Sequence, residues 1–159
     1  MSLEAELSAY EVQMERLVSV FRARMTEVCK SLRLTPPQLC ALRTLARLER
    51  SKMSPLAEEL TLSMGAASTL IDRLVTRGLV VRDTDATDRR AVYVSLSPAG
   101  QQILEDARLA RRELIRQVFE KLSPDLRAQL MTSLNVLASA WETLPESDFN
   151  AELGSCSEF

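Results

Sequence analysis

Residues 63–100 read SMGAASTLIDRLVTRGLVVRDTDATDRRAVYVSLSPAG, and the fold turns on that stretch. Ser63 suits a helix N-cap, and Ala67, Leu70, Ile71 and Leu74 follow at helical spacing. Gly78 falls where a helix C-terminus wants a left-handed residue. Residues 79–83 are β-branched enough for a short strand, and 91–96 alternate, with Val92, Val94 and Leu96 on one face. Residues 84–90 are polar, so the two runs read as an antiparallel hairpin with a long tip. Ser97-Pro98 then combines a cap with a first-turn proline and opens another helix.

Working outward, Ser54-Pro55 uses the same device, with Ser54 expected as the cap of a short helix and residues 61–63 as a turn. Residues 49–52 read as a polar break. Thr35-Pro36-Pro37 opens a helix whose buried face is expected at Leu39, Leu42, Leu45, Ala46 and Leu48. Before it, Leu3, Leu7, Tyr10, Met14, Leu17, Phe21, Met25, Val28 and Leu32 follow one another at steps of three and four. That pattern is a long amphipathic helix with a narrow seam, on the order of 45 Å for 30 residues. After Pro98, Ile103, Ala107, Ala110, Leu114, Val118 and Leu122 mark one helix face. Leu126, Leu130, Leu134, Leu137, Trp141 and Leu144 mark another, capped by Ser123 and ended by Pro145. Residues 145–159 are expected to form a flexible acidic tail.

The order is helix, helix, short helix, turn, helix, hairpin, long helix, helix. It gives a mainly α fold with a small β-hairpin wing, a winged helix-turn-helix between long terminal helices. The expected organisation is a winged helix-turn-helix over 33–97 and a helical dimerisation region over 1–32 and 98–144. The seams over 3–32 and 126–144 are longer and more apolar than one small winged domain needs. The competing expectation is that the two seams pack within one chain.

Composition removes whole classes of function. The 159 residues are 46% hydrophobic and 26% charged, as in a soluble globular domain. No apolar run is long enough to cross a membrane. The acidic opening, residues 1–6, is not expected to be a signal peptide. There is no histidine, which disfavours imidazole metal sites and histidine-dependent hydrolases. Cys29, Cys40 and Cys156 are odd in number and lack CxxC spacing, which points to a reducing, cytoplasmic setting. No nucleophile–base pair, phosphate loop or carboxylate cluster stands out, so no catalytic residue, metal ligand or cofactor is assigned. The net charge of −2 divides unevenly. Residues 33–100 hold 10 bases against 7 acids, and the remainder holds 10 against 15. A basic middle between acidic flanks suits a DNA-reading module.

The helix over 63–77 presents Ser63, Gly65, Ala66, Ser68, Thr69 and Asp72 outward. Small and short polar side chains let a helix axis approach base edges in a major groove. Arg73 and Arg77 lie further along and suit phosphates. At the hairpin tip, Asp88, Arg89 and Arg90 follow one another. A guanidinium there suits a narrow minor groove, and the neighbouring carboxylate can brace it. Taken alone, these features equally describe a solvated helix and an exposed surface ion pair.

Together, Ser68-Thr69-Leu70-Ile71-Asp72-Arg73-Leu74, Arg77-Gly78-Leu79-Val80-Val81-Arg82, Asp88-Arg89-Arg90 and Val94-Ser95-Leu96-Ser97-Pro98-Ala99-Gly100 resemble the signature of the MarR family of bacterial transcription regulators. The helix order extends that resemblance over about residues 3–144. The resemblance implies a homodimer with interlocked terminal helices, two recognition helices in successive major grooves of a pseudo-palindromic duplex, and wings in the flanking minor grooves. Half-site centres are then about 10 bp apart. The family's wing residues map onto Asp88, Arg89 and Arg90, with the groove-entering arginine left open. Its backbone contacts map onto Lys52 and Ser54.

The resemblance also implies relief of repression by a small aromatic or phenolic ligand, or by cysteine oxidation. Phe21, Arg24, Met25 and Arg43 would line the ligand site, and Cys29 and Cys40 would be the redox pair. The family's peroxide sensors carry a cysteine near the start of the first helix; this chain has Tyr10 there and no cysteine, which argues against that branch. The competing function is a winged protein-interaction module that has lost DNA binding, favoured by the pI near 5.4.

Overall fold

The computed structural model describes residues 2–84 and 92–144. The elements are α1 (Leu3–Ser31), α2 (Pro36–Leu48), β1 (Arg50–Lys52), α3 (Met53–Glu59), α4 (Met64–Thr76), β2 (Val80–Thr84), β3 (Val92–Leu96), α5 (Pro98–Glu120) and α6 (Pro124–Glu142). The architecture is the mainly helical winged fold expected. The chain divides into two compact units, one over Met1–Arg111 and one from Arg112 onward.

Hydroxyl caps set most helix starts. Ser2, Thr35, Ser63 and Ser123 each accept a backbone N–H of the first turn. At Thr35 the cap is reciprocal: the Gln38 N–H donates to Thr35 Oγ1, and the Thr35 N–H donates to Gln38 Oε1 at 2.9 Å. The helix expected to begin at Ser54 instead begins at Met53 with Lys52 in the cap position and no side-chain cap bond. Ser54 lies inside the first turn, where its hydroxyl meets Glu58 Oε1 at 3.4 Å. A serine before a proline carries the signature of a cap, but strand β1 holds the chain extended up to Lys52 and the helix starts directly from it.

That strand is the main correction. Residues 49–52 are not a mere polar break. Arg50–Lys52 pairs antiparallel with β3, Ser51 opposite Val94, so the sheet has three strands in the order β1-β3-β2. Ser51 is buried by this pairing. Glu49 reverses the chain just before it with a left-handed φ of 59°. On α2 the buried positions are Gln38, Leu39, Ala41, Leu42 and Leu45; Ala46, expected inside, is exposed.

The core of the first unit gathers Leu34, Leu39, Leu42, Leu45, Leu56, Ile71, Leu74, Val80 and Val94 with Ala107 from α5. Each buried Leu, Ile or Val contributes about 1.5–3 kcal/mol. Of α1, Cys29 near the C-terminal end joins this core, and Val28 beside it is also buried. Most of the rest of its seam is open: Leu3, Leu7, Tyr10, Leu17 and Phe21 are exposed, and Met14 and Met25 are half-buried. In the second unit α6 buries no residue, and Leu126, Leu130, Leu134, Trp141 and Leu144 are exposed.

The hairpin is closed at its base by a small clasp. The Ser97 N–H donates to Leu79 O at 3.0 Å, and the Ser97 hydroxyl donates to Gly78 O at 2.6 Å. The same hydroxyl oxygen accepts the Gly100 N–H at 3.0 Å. Gly78 sits at φ 69°, and a Cβ on Gly100 would lie 2.0 Å from Leu79 O. The clasp gives a physical reason for the spacing of Arg77-Gly78-Leu79 and Ser97-Pro98-Ala99-Gly100. No helix among the described residues is long and apolar enough to cross a membrane.

Candidate nucleic-acid interface

The recognition element is α4. Thr61, at φ 53°, turns the chain after α3, and the Leu62 N–H closes the turn onto Ala57 O at 2.9 Å. Ser63 then starts α4 by accepting the Ala66 N–H at 3.3 Å. Ala67, Ile71 and Leu74 anchor the inner face in the core. Ser63, Gly65, Ala66, Thr69, Asp72 and Arg73 are exposed and Ser68 is half-buried, so the expected outward residues share one accessible side. The Thr69 hydroxyl donates back to Gly65 O, and that of Thr76 to Asp72 O, each at 2.9 Å. Their donor hydrogens are satisfied within the helix, which leaves methyl groups and hydroxyl lone pairs to meet a partner.

Gln38, Thr69, Asp72, Arg73, Thr76 and Arg77 line an open cleft of about 470 Å³ between the start of α2 and the outer side of α4. Arg73 has no ion-pair partner among the described residues. Arg77 is anchored: its Nη1 donates to Arg33 O at 2.7 Å, where the chain takes a left-handed turn at φ 55°. Its charge is thereby held at the cleft rather than swinging free. Sequence reading named Arg73 and Arg77 but missed Gln38 and Thr76. Gln38 belongs to the reciprocal cap, and the Thr-x-x-Gln spacing from 35 to 38 was the available signal.

The stem of the wing carries a second group of charges. Arg82 Nη2 reaches Asp72 Oδ1 at 2.7 Å, which joins β2 to α4. Arg50 stacks over the Tyr93 ring, 3.9 Å from its centroid, and its Nη2 lies 3.9 Å from Asp83 Oδ2. Lys52 Nζ lies 5.6 Å from the same ring centroid. Lys52 and Ser54 are both exposed at the start of α3. β2 and β3 pair as far as Thr84 opposite Val92. Asp88, Arg89 and Arg90, in the segment joining those two residues, lie outside the described residues, as do Pro145, Cys156 and the acidic tail.

Away from this face, Phe21, Arg24 and Met25 occupy successive positions late in α1; Phe21 and Arg24 are exposed and Met25 is half-buried. Arg43 is exposed on α2, near enough to Cys29 for its charge to act on that thiol. Burial pushes the Cys29 thiol up, and Arg43 opposes this only in part. Cys40 is exposed, and both cysteines are free thiols.

Residues 34–92 match the MarR family, from the end of the α1–α2 turn to the first residue of β3. The HTH-type transcriptional repressor MdtR of Bacillus subtilis (strain 168) is 25% identical over 142 residues, spanning 89% of this chain and 92% of that one. The crystal structure of the YusO protein from Bacillus subtilis superposes with a TM-score of 0.76 at 24% identity, covering 88% of this chain and 99% of that one. A mutant of MepR from S. aureus, bound to an oligodeoxyribonucleotide, superposes with a TM-score of 0.71 at 19% identity, covering 83% and 97%. With the helix-turn-helix, the three-stranded wing and the clasp at its base in place, the chain carries a MarR-family domain at residues 34–92 and is similar to winged helix-turn-helix transcription regulators, proteins that control transcription and are not enzymes.

Proposed function

We propose that the chain is a cytoplasmic, homodimeric, sequence-specific DNA-binding regulator, a repressor relieved by a small molecule. The observation that carries this reading is the outer side of α4. It places small, accessible residues (Ser63, Gly65, Ala66, Thr69) beside the cleft cations Arg73 and Arg77. Such a face approaches base edges closely while arginines hold the flanking phosphates. The MepR structure, similar in fold, contains an oligodeoxyribonucleotide, which favours a duplex as the partner of this face.

Residues 33–97 form the DNA-binding part, with Lys52 and Ser54 on the phosphate backbone and Asp88, Arg89 and Arg90 at the minor groove. Residues 1–32 and 98–144 form the dimerisation part. Support for pairing is the apolar surface left open on α1 and on α6, where Leu3 is 70% exposed and Trp141 47%. Monomers seldom leave long apolar stripes in water.

Of the two triggers, a small ligand is favoured over oxidation. The buried Cys29 is held in the unreactive thiol form. Phe21 and Met25 offer an apolar wall, and Arg24 or Arg43 a partner for a carboxylate.

The test is selection of duplexes from a random pool, followed by titration at increasing salt. The expected result is a pseudo-palindromic consensus with half-sites about 10 bp apart. Binding to it should weaken steeply with salt. Recovery of no enriched sequence overturns the reading in favour of a protein-interaction module.

A further inference from the structure

Asp72 is an acidic side chain in the cleft of α4, alongside Arg73 and Arg77. Judged by charge alone, a carboxylate on a surface that meets phosphates weakens binding. Its Oδ1 is met by Arg82 Nη2 at 2.7 Å, the length of a charge-assisted hydrogen bond. Arg82 comes from β2, the strand that leads into the hairpin tip. Successive side chains of a strand point to opposite faces, and the next residue, Asp83, is drawn the other way, to Arg50 at 3.9 Å. Arg50 is itself stacked on Tyr93 of β3. The stem of the wing is therefore tied on one side to the recognition helix and on the other across the sheet.

We propose that Asp72 and Arg82 act as a positioning pair, which fixes the direction of the wing stem relative to the recognition helix so that both reach one duplex together. The proposal rests on the DNA-binding function above and deepens it. Stability does not explain the pair. Both side chains are substantially exposed, at 36% for Arg82 and 55% for Asp72, and such surface ion pairs contribute little to folding. Their value lies in tying the outer side of α4 to β2 beyond the turn at Gly78 that joins them in the chain.

The pair makes a prediction opposite in sign to simple electrostatics. Asp72→Asn removes a negative charge, so charge alone predicts tighter binding. The positioning role predicts weaker binding, by about tenfold, the order of one groove contact. Arg82→Gln weakens binding by a similar factor, and the double variant is no weaker than either single one, because one tie can be lost only once.

The experiment compares the parent, Asp72→Asn, Arg82→Gln and the double variant on a duplex selected by the parent. It uses the full duplex and a second duplex trimmed of its flanking base pairs. The guanidinium NMR signal of Arg82 is followed without DNA. The expected result has four parts: equal, non-additive losses on the full duplex; no difference between the variants on the trimmed one; unchanged thermal midpoints; and an Arg82 signal protected in the parent but not in Asp72→Asn. Tighter binding by Asp72→Asn overturns the proposal, as do losses that multiply in the double variant. A changed base preference in Asp72→Asn also overturns it, since Asp72 would then read a base directly. A parent that retains no duplex overturns the DNA-binding reading itself and the positioning role with it.

Discussion

Gly100→Ala is the substitution whose effect follows most directly from the geometry. A Cβ at this position would lie 2.0 Å from Leu79 O and 3.0 Å from Leu79 C. Both are backbone atoms and cannot rotate away. Leu79 O already accepts the Ser97 N–H, and the Ser97 hydroxyl bridges Gly78 O and the Gly100 N–H. Relief of the clash therefore moves the start of α5 off the Gly78–Leu79 turn and loosens this clasp. Overpacking of this kind costs about 1–3 kcal/mol, and each hydrogen bond weakened adds about 1 kcal/mol. Replacing a helical glycine by alanine returns up to about 1 kcal/mol. The net expectation is a loss of about 2–4 kcal/mol, or roughly 5–15 °C in thermal midpoint for a chain of this size. Urea and thermal unfolding, run at one fixed protein concentration, measure it. Gly65→Ala is the control: a Cβ there meets nothing within 4 Å, so the same chemical change leaves stability equal or raised by up to about 1 kcal/mol. Gly100→Ala within about 0.5 kcal/mol of the parent would refute the close approach of α5 to the Gly78–Leu79 turn.

Thiol labelling should separate the cysteines: Cys40, exposed, reacts in the folded protein, whereas Cys29 reacts only on unfolding, as its burial and raised pKa require; equal rates would contradict the packing of α1. Glu113 is held at about 2, chiefly by the hydrogen bond from Arg116, against an ordinary value of 4.5. A carboxyl whose pKa is lowered by folding contributes above its ordinary pKa and loses that contribution as pH falls through the folded value. The bond should therefore persist at pH 5 and be lost progressively between about 4.5 and 2, followed through the Glu113 carboxyl signal by NMR. Leu130→Glu on the exposed side of α6 should convert a dimer at micromolar concentration into a monomer in sedimentation, with helix content retained; a monomeric parent would remove the proposed dimerisation role of the terminal helices.

Much of this fold was legible because its boundaries are chemical. Thr35, Ser63 and Ser123 cap helices through short-range bonds that a sequence carries openly, and Gly78 marks a left-handed end. β1 was not legible. Arg50, Ser51 and Lys52 have no strand propensity, and they become a strand only because β3, more than 40 residues later in the chain, offers its edge. The turns at Arg33, Glu49 and Thr61 were equally silent, since each takes a positive φ without glycine. At the interface, the outward residues of α4 follow from helical periodicity. The partners of Asp72 and Arg77 do not, because Arg82 and the Arg33 carbonyl meet them only through tertiary packing.

The central claim is that the α4 face grips a DNA duplex through its arginines. Fluorescence anisotropy of a selected duplex, measured across salt concentrations for the parent and for Arg73→Ala, tests it most directly. The account predicts that the logarithm of the binding constant falls linearly with that of salt. It also predicts that Arg73→Ala makes this slope shallower by about 1, the signature of one phosphate released. A parent whose binding ignores salt, or an Arg73→Ala slope equal to the parent's, would contradict it.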